Sequence, residues 1–425
     1  MSLEPMDPQR LDLAKFIRAG DLVSWGQAMS EPRSLIAKYL EQRHDLGPTR
    51  AFVGLTLTED LQPQHCDAIS LLSYGALGGL APLHNAGLLQ IIPCRYSALP
   101  GLIRRGSLRP DVLFIQISPP GPDGSHSLGW CNDVLPTMID HARVVLAEIN
   151  PEVPWVRMDR PLDESKVTAT IRSSHTLPTF ATPTPGTVET RIAQHLAEYI
   201  PDGATLQYGI GTIPSAILRA LNNHRDLGIH SGLITDEVID LTHSGALTNG
   251  RKAHRPGIGV GAVAIGGPKL SRFLQDNPEF CMVQTDETHG ATVLAQLDNL
   301  VAINSALQVD LLGQVNAEQV GSRYLGAIGG QPDFMHAATY SENGLSVIAL
   351  PSTTSNGDRT RITATLTGPQ VTTARSDVDL VVTEHGVADL RGKTVSQRAK
   401  ELTAIAAPQH REPLERSAHQ TRPSP

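Results

Sequence analysis

LQYGIGTIPSAIL, residues 206–218, reads as a strand, a glycine turn and the start of a helix. ATLQYGI (204–210) is β-prone and apolar, while Gly209 and Gly211 let the chain turn tightly behind it. Pro214 belongs in a first helical turn, where its missing N–H costs nothing, and Ile217, Leu218 and Leu221 then point inward. Strand, short turn and helix make up the repeating unit of α/β folds. The unpaired N–H groups at such a helix start attract phosphate, although a tight structural turn would read the same way. The stretch is not a dinucleotide fingerprint, because Pro214 stands where the third glycine belongs.

The same unit recurs on either side. LVSWG (22–26) is a strand, after which Ser30, Glu31 and Pro32 open a helix with Leu35, Ile36, Tyr39 and Leu40 inward. AFVGLTL (51–57), VLFIQIS (112–118) and VVLAEI (144–149) are further strands, and such continuous runs suit parallel strands covered on both faces. Thr187 caps a helix with Val188, Ile192, Leu196 and Ile200 on one side. A strand follows at about 229–234, then a helix capped by Thr235 and ended by Gly245. RLDLAKFIRAGDLVSWG (10–26) parallels RIAQHLAEYIPDGATLQYG (191–209), Pro32 pairs with Pro214, and HDLG (44–47) with RDLG (225–228). RVVLAEIN (143–150) echoes DLVVTEHG (379–386). This predicts two copies of one α/β domain, over 8–180 and 188–415, with a cleft between them. TLPTFATPTPGT (176–187) reads as the linker, and the polar residues from about Pro408, above all 416–425, as a fraying tail.

Composition narrows the function. The 425 residues carry 35 Lys+Arg against 43 Asp+Glu, a net −8, which gives no bulk attraction to nucleic acid. Cys66, Cys94, Cys131 and Cys281 form no CxxC pair, so neither a disulfide framework nor a cysteine metal site is expected, and a reducing compartment fits. MSLEPMDPQR lacks the pattern of a signal peptide. Residues 68–94 have no charge, yet Pro82, His84, Asn85 and Gln90 break any spanning helix. The expectation is a soluble, cytoplasmic protein without membrane contact. No GxSxG elbow, HExxH pair or Walker loop is present. GAIGGQPDF (326–334) presents Gly329 and Gly330 as an oxyanion-type turn or a plain loop. SPPGPDGSHSLG (118–129) brings Asp123 and Ser127 to the cleft, or forms a long turn.

In order, these segments resemble the acetyl-CoA hydrolase/transferase family, the group of 4-hydroxybutyrate CoA-transferase. The carriers are LQYGIGTIPSAIL, DLGIHSGLITDEVIDL (226–241), NSALQVDLLGQV (304–315), GGQPDF (329–334), LPST (350–353) and VVTEHGVADLRGK (381–393). SPPGPDGSHSLG and LAEINPEVP (146–154) extend the match into the first half. The resemblance implies tandem NagB/RpiA/CoA-transferase-like domains with mostly parallel sheets. It also implies an activity that moves CoA from an acyl-CoA to a free carboxylate. In that family a glutamate attacks the thioester, forming a mixed anhydride and then a glutamyl-CoA thioester. CoA is then a substrate rather than a resident cofactor, and the partner is a small carboxylic acid such as acetate, 4-hydroxybutyrate or an itaconate-like acid. The resemblance further implies a homo-oligomer, while the cysteine pattern leaves no metal expected. By position, Gly209, Ile210, Gly211, Thr212 and Ile213 would line the CoA phosphate and pantetheine path. Leu307 would pack on CoA, and Gly329, Gly330 and Gln331 would flank the thioester, with the Gly330 N–H on its oxygen. Asn150 would lie near the cleft.

One position departs. The family's nucleophile follows His-Ser or His-Thr, and here the chain reads His230-Ser231-Gly232-Leu233. Gly232 has no side chain to form an anhydride, and loss of such a nucleophile costs on the order of 10⁶ in rate. Glu237 is a candidate substitute, though a first-turn acid also simply complements the helix dipole. Glu318 and Glu384 lie in segments shared with the family. His230 reads as a strand-end structural residue, and Ser231 has no base beside it. Three readings follow: an enzyme with altered chemistry (transferase, thioester hydrolase or acyltransferase), an acyl-CoA-binding protein without turnover, or a single-base change of glutamate to glycine. The expectation is an intact CoA site with poor or absent ordinary transferase activity.

Overall fold

The computed structural model describes residues 4–420, apart from positions 174, 181, 182, 322, 367 and 369. Its first sheet contains Leu22–Trp25 (β1), Thr49–Phe52 (β2), Ile69–Ser73 (β3), Leu89–Ile91 (β4), Val112–Ile117 (β5), Val144–Ile149 (β6) and Ala169–Arg172 (β7). The order is β4-β3-β2-β1-β5-β6-β7, and every pairing is parallel. A second sheet contains Thr205–Tyr208 (β8), Gly228–Ile229 (β9), Leu300–Ser305 (β10), Leu345–Ala349 (β11), Leu380–Thr383 (β12) and Gly386–Asp389 (β13). Its order is β13-β12-β11-β10-β8-β9, with only the β12–β13 edge antiparallel. The molecule is α/β, with two mostly parallel sheets.

The central strands are buried on both faces, which is why β5, β11 and β12 read as nearly continuous apolar runs. Arg33–Gln42 (α1) follows β1 and lays Leu35, Ile36, Tyr39 and Leu40 over Val23 and Phe114. On the opposite face, Leu135 and Met138 pack with Ile115 and Ile117. In the second sheet, Thr187–Ala197 (α2) and Thr212–Ala220 (α3) bury Ile192, Leu196, Ile217 and Leu218 against Leu206, Ile303 and Val347. Burying each such side chain contributes about 1.5–3 kcal/mol. Phe334, Met335 and Ala338 of another helix, Gln331–Tyr340 (α5 below), cover the far face.

Several expectations need correction. The strand expected at 229–234 is split: β9 stops at Ile229, and Leu233–Ile234 pairs instead with Val263–Ala264. The chain therefore leaves the sheet at His230-Ser231-Gly232. The following helix, Glu237–His243 (α4), starts after Asp236 rather than at a Thr235 cap, and Gly245 (φ +78°) follows its end. AFVGLTL is strand only at its start. The echo between RVVLAEIN and DLVVTEHG falls on strands of different rank. β6 lies two places from β1, as β11 does from β8, whereas β12 holds the place of β7. The polar segment from Pro408 is a helix through Gln420, anchored by buried Leu414, and residues 421–425 lie outside the described residues. Among the described residues, no helix is long and apolar enough to cross a membrane.

Candidate active site

Three glycine turns and one histidine meet in a single cavity of about 210 Å³, lined from both halves of the chain. The first turn joins β8 to α3. Gly211 has φ +128° and ψ 178°, a conformation that is essentially glycine-only, and its open side has nothing within 4 Å. The N–H groups of Thr212 and Ile213 in the first turn of α3 have no intrahelical acceptor. Gly209 and Ile210 line the cavity, beside Asn304 of β10, whose amide donates to Gln207 Oε1 at 2.9 Å.

The second turn is the break after β9. His230 is fully buried, its Nε2 3.2 Å from the Thr288 carbonyl, and burial holds its pKa down to about 3. Ser231 is equally buried and donates to the Tyr208 carbonyl at 3.3 Å. Both are structural here. Gly232 then lines the cavity, and a side chain begun there would crowd the ring of His289. A Cβ there would lie 2.9 Å from Cε1 and 3.0 Å from Nε2 of His289.

The third turn precedes helix Gln331–Tyr340 (α5), and a Cβ on Gly330 would also collide with His289 Nε2. The Gly330 N–H has no acceptor among the described residues. This loop is strapped to the first half: Tyr96 N donates to the Gly329 carbonyl at 2.9 Å, and Ser97 N and Oγ donate to Asp333 at 3.1 and 2.7 Å.

His289 follows the short helix Thr285–Thr288. Its ring is clamped between Tyr96 and Phe334, with centroids 4.9 and 4.8 Å away. Its Nδ1 lies 2.7 Å from Thr288 Oγ1, and burial lowers its pKa to about 3. Behind Tyr96 lies a buried polar pad from the first half. Tyr96 OH donates to Asp133 Oδ2 at 2.5 Å, Gln27 Nε2 also donates to Asp133, and Tyr74 OH donates to Gln27 Oε1 at 2.8 Å. Burial, with Asp133 alongside, pushes the Tyr96 hydroxyl well above its usual range.

Of the residues marked in the sequence, Gly209, Ile210, Gly232, Gly329, Gly330 and Gln331 line this cavity. Gly211, Thr212 and Ile213 start α3 without lining it, and Leu307 sits on a strand connection, its N–H donating to Asn316. Glu237 faces elsewhere, its buried carboxylate accepting from Ser215 Oγ and lying 3.4 Å from Arg219. Asn150 donates to Gln116 Oε1 at 2.8 Å outside the cavity lining. Asp123 bonds Ser125 on the surface, and Ser127 donates to the Val156 carbonyl at 2.7 Å, so neither reaches the cavity. Sequence reasoning missed His289, Gln27, Tyr74 and Tyr96. Their one signal is a histidine followed by glycine in ETHG (287–290), which by itself marks nothing. Among the described residues, no group of three His, Cys, Asp or Glu could hold a metal ion.

Comparison with known proteins places the chain in a family. The acetyl-CoA hydrolase/transferase N-terminal domain model matches residues 9–176, and the C-terminal domain model of the same family matches 266–418. The chain is 41% identical to 4-hydroxybutyrate coenzyme A transferase of Clostridium kluyveri, over 78% of this chain and 77% of that protein. It is 32% identical to succinyl-CoA:cyclohexane-1-carboxylate CoA transferase of Geobacter metallireducens, over 96% and 94%. The crystal structure of RipA from Yersinia pestis superposes with a TM-score of 0.91 at 28% identity, covering 98% of this chain and 97% of that one. The chain belongs to the acetyl-CoA hydrolase/transferase family.

Proposed function

We propose that the protein binds an acyl-CoA in this cleft and passes its CoA to a small carboxylic acid within one ternary complex, without a glutamyl-enzyme. One observation carries this reading: Gly232, the position the resemblance gives to the family's glutamate, has no side chain, and the His289 imidazole stands against it. Among the described residues no carboxylate lines the cavity, and Glu237 is held by Ser215 outside it. A chain that had lost a glutamate by one accidental change would keep room for it. The occupied slot therefore favours a site settled around glycine.

Two features support thioester binding. The α3 start offers N–H groups to phosphate, and the Gly330 N–H, without an acceptor among the described residues, can meet a carbonyl oxygen. The cavity is small, which suits a short acyl group. The acceptor carboxylate attacks the thioester carbonyl carbon, expelling CoA thiolate and leaving a mixed anhydride of the two acids. The thiolate then attacks the acceptor's carbonyl carbon, giving the new thioester and releasing the donor acid. Catalysis comes from holding both substrates together in a dry site.

The test is calorimetric titration with CoA and acetyl-CoA, followed by initial rates with acyl-CoA and acid both varied. Binding with intersecting double-reciprocal lines is expected. Parallel lines, with exchange of label into CoA in the absence of acid, would establish a covalent intermediate and contradict this reading.

A further inference from the structure

We propose that His289 is a catalytic residue. Its Nε2–H, standing between Gly232 and Gly330, donates a hydrogen bond to the thioester carbonyl oxygen beside the Gly330 N–H. This rests on the reading that the cleft takes a CoA thioester.

The position comes first. Ideal side-chain carbons on Gly232 and on Gly330 would both crowd His289 Nε2, so that atom sits where the two glycine turns approach each other, on the cavity wall. Two glycines in a row of contacts are what an imidazole needs to reach this place, because either would be blocked by a Cβ.

The proton comes next. Thr288 is fully buried, and its hydroxyl has one hydrogen-bond partner among the described residues, His289 Nδ1 at 2.7 Å. A buried hydroxyl hydrogen needs an acceptor, so Nδ1 accepts it. In a neutral ring the proton then resides on Nε2, toward the cavity. Burial keeps the ring neutral, its pKa down to about 3. A neutral imidazole with Nε2 protonated has no lone pair there to act as base or nucleophile. It has one hydrogen to donate.

The clamp between Tyr96 and Phe334 fixes the ring plane, so the donor is oriented before substrate arrives. When the acceptor carboxylate adds to the thioester carbon, the carbonyl π pair moves to oxygen, where the two N–H groups meet it. Collapse expels CoA thiolate. The thiolate's return onto the anhydride passes through the same kind of oxyanion, and His289 keeps its proton throughout.

The test uses the full chain as wild type, His289→Gln and His289→Leu, each checked for folding by thermal melt and for acetyl-CoA binding by calorimetry. The glutamine amide nitrogen is as many bonds from Cβ as His Nε2, so it can restore the donor. Leucine fills the space without one. Infrared difference spectra with carbonyl-labelled acetyl-CoA read polarisation without requiring turnover. The bound carbonyl band should lie low in wild type and His289→Gln and move up in His289→Leu, whose kcat should fall about 10²–10³-fold. An unchanged band in His289→Leu overturns the assignment. So does His289→Gln losing as much activity as His289→Leu while still binding. If neither variant folds, the ¹⁵N shifts of the wild-type ring decide, and an unprotonated Nε2 overturns it. Absence of acetyl-CoA binding by the wild type instead removes the reading on which the inference rests.

Discussion

His289 and Gly232 are one feature seen from two sides, and the pair has a measurable signature in stability. Folded His289 titrates at about 3, against about 6.5 when unfolded. Between those values the unfolded chain binds the extra proton, so acid favours unfolding. The stability this group contributes is fully present above pH 6.5 and is lost as pH falls toward 3, at up to about 1.4 kcal/mol per pH unit. Urea unfolding of wild type and His289→Gln at several pH values should therefore show the wild type's advantage shrinking as pH falls below 6.5. A pH-independent difference would mean that the ring titrates at the same pH in the folded and the unfolded chain. That a glycine stands at the position the resemblance gives to the carboxylate is legible in HSGL. What fills its place is not, since His289 lies far along the chain and only tertiary packing brings it there.

At the scale of the element, the β8–α3 turn depends on backbone conformation alone. Nothing lies within 4 Å of a Cβ on Gly211, so Gly211→Ala introduces no clash, only an L-residue at φ +128°. That substitution should cost about 1–3 kcal/mol and weaken CoA binding, read by thermal melt and calorimetry. An unchanged melt and affinity would show that the turn tolerates another shape. This unit was readable in the sequence because strand, glycine and proline signals agree. The strand at 229–234 was misjudged because its apolar run continues through a point where the chain changes sheets. The echo of RVVLAEIN in DLVVTEHG includes a glutamate that does the same local work in both segments. Glu148 accepts from Ser34 N and Oγ, and Glu384 from Ser352 N and Oγ, at the ends of strands of different rank. Likeness of local chemistry does not carry strand order.

The whole molecule makes the cavity, since Tyr74, Tyr96 and Leu77 come from the first half and the glycine turns from the second. Asp333 couples them by accepting from Ser97 N and Oγ at the start of α5. The exposed Arg104–Asp286 pair also bridges them but contributes little, about 0–1 kcal/mol. Asp333→Ala leaves the Ser97 groups without their partner and should cost about 1–3 kcal/mol while raising the acyl-CoA KM. An unchanged KM would mean that the loop holds its place without this tie. Duplication of an α/β unit could be read from sequence. The polar pad under Tyr96 could not, because it gathers Gln27, Tyr74 and Asp133 from separate connections.

The central claim is that an imidazole holds the place of a catalytic carboxylate. The most direct measurement is intact-mass spectrometry after incubation with acetyl-CoA alone, for wild type, Gly232→Glu and Gly232→Glu/His289→Ala. A covalent CoA adduct is predicted only in the double variant, where the carboxylate has both a side chain to carry it and the space to stand in. An adduct on the wild type, or none on the double variant while it still binds acetyl-CoA, would contradict the account.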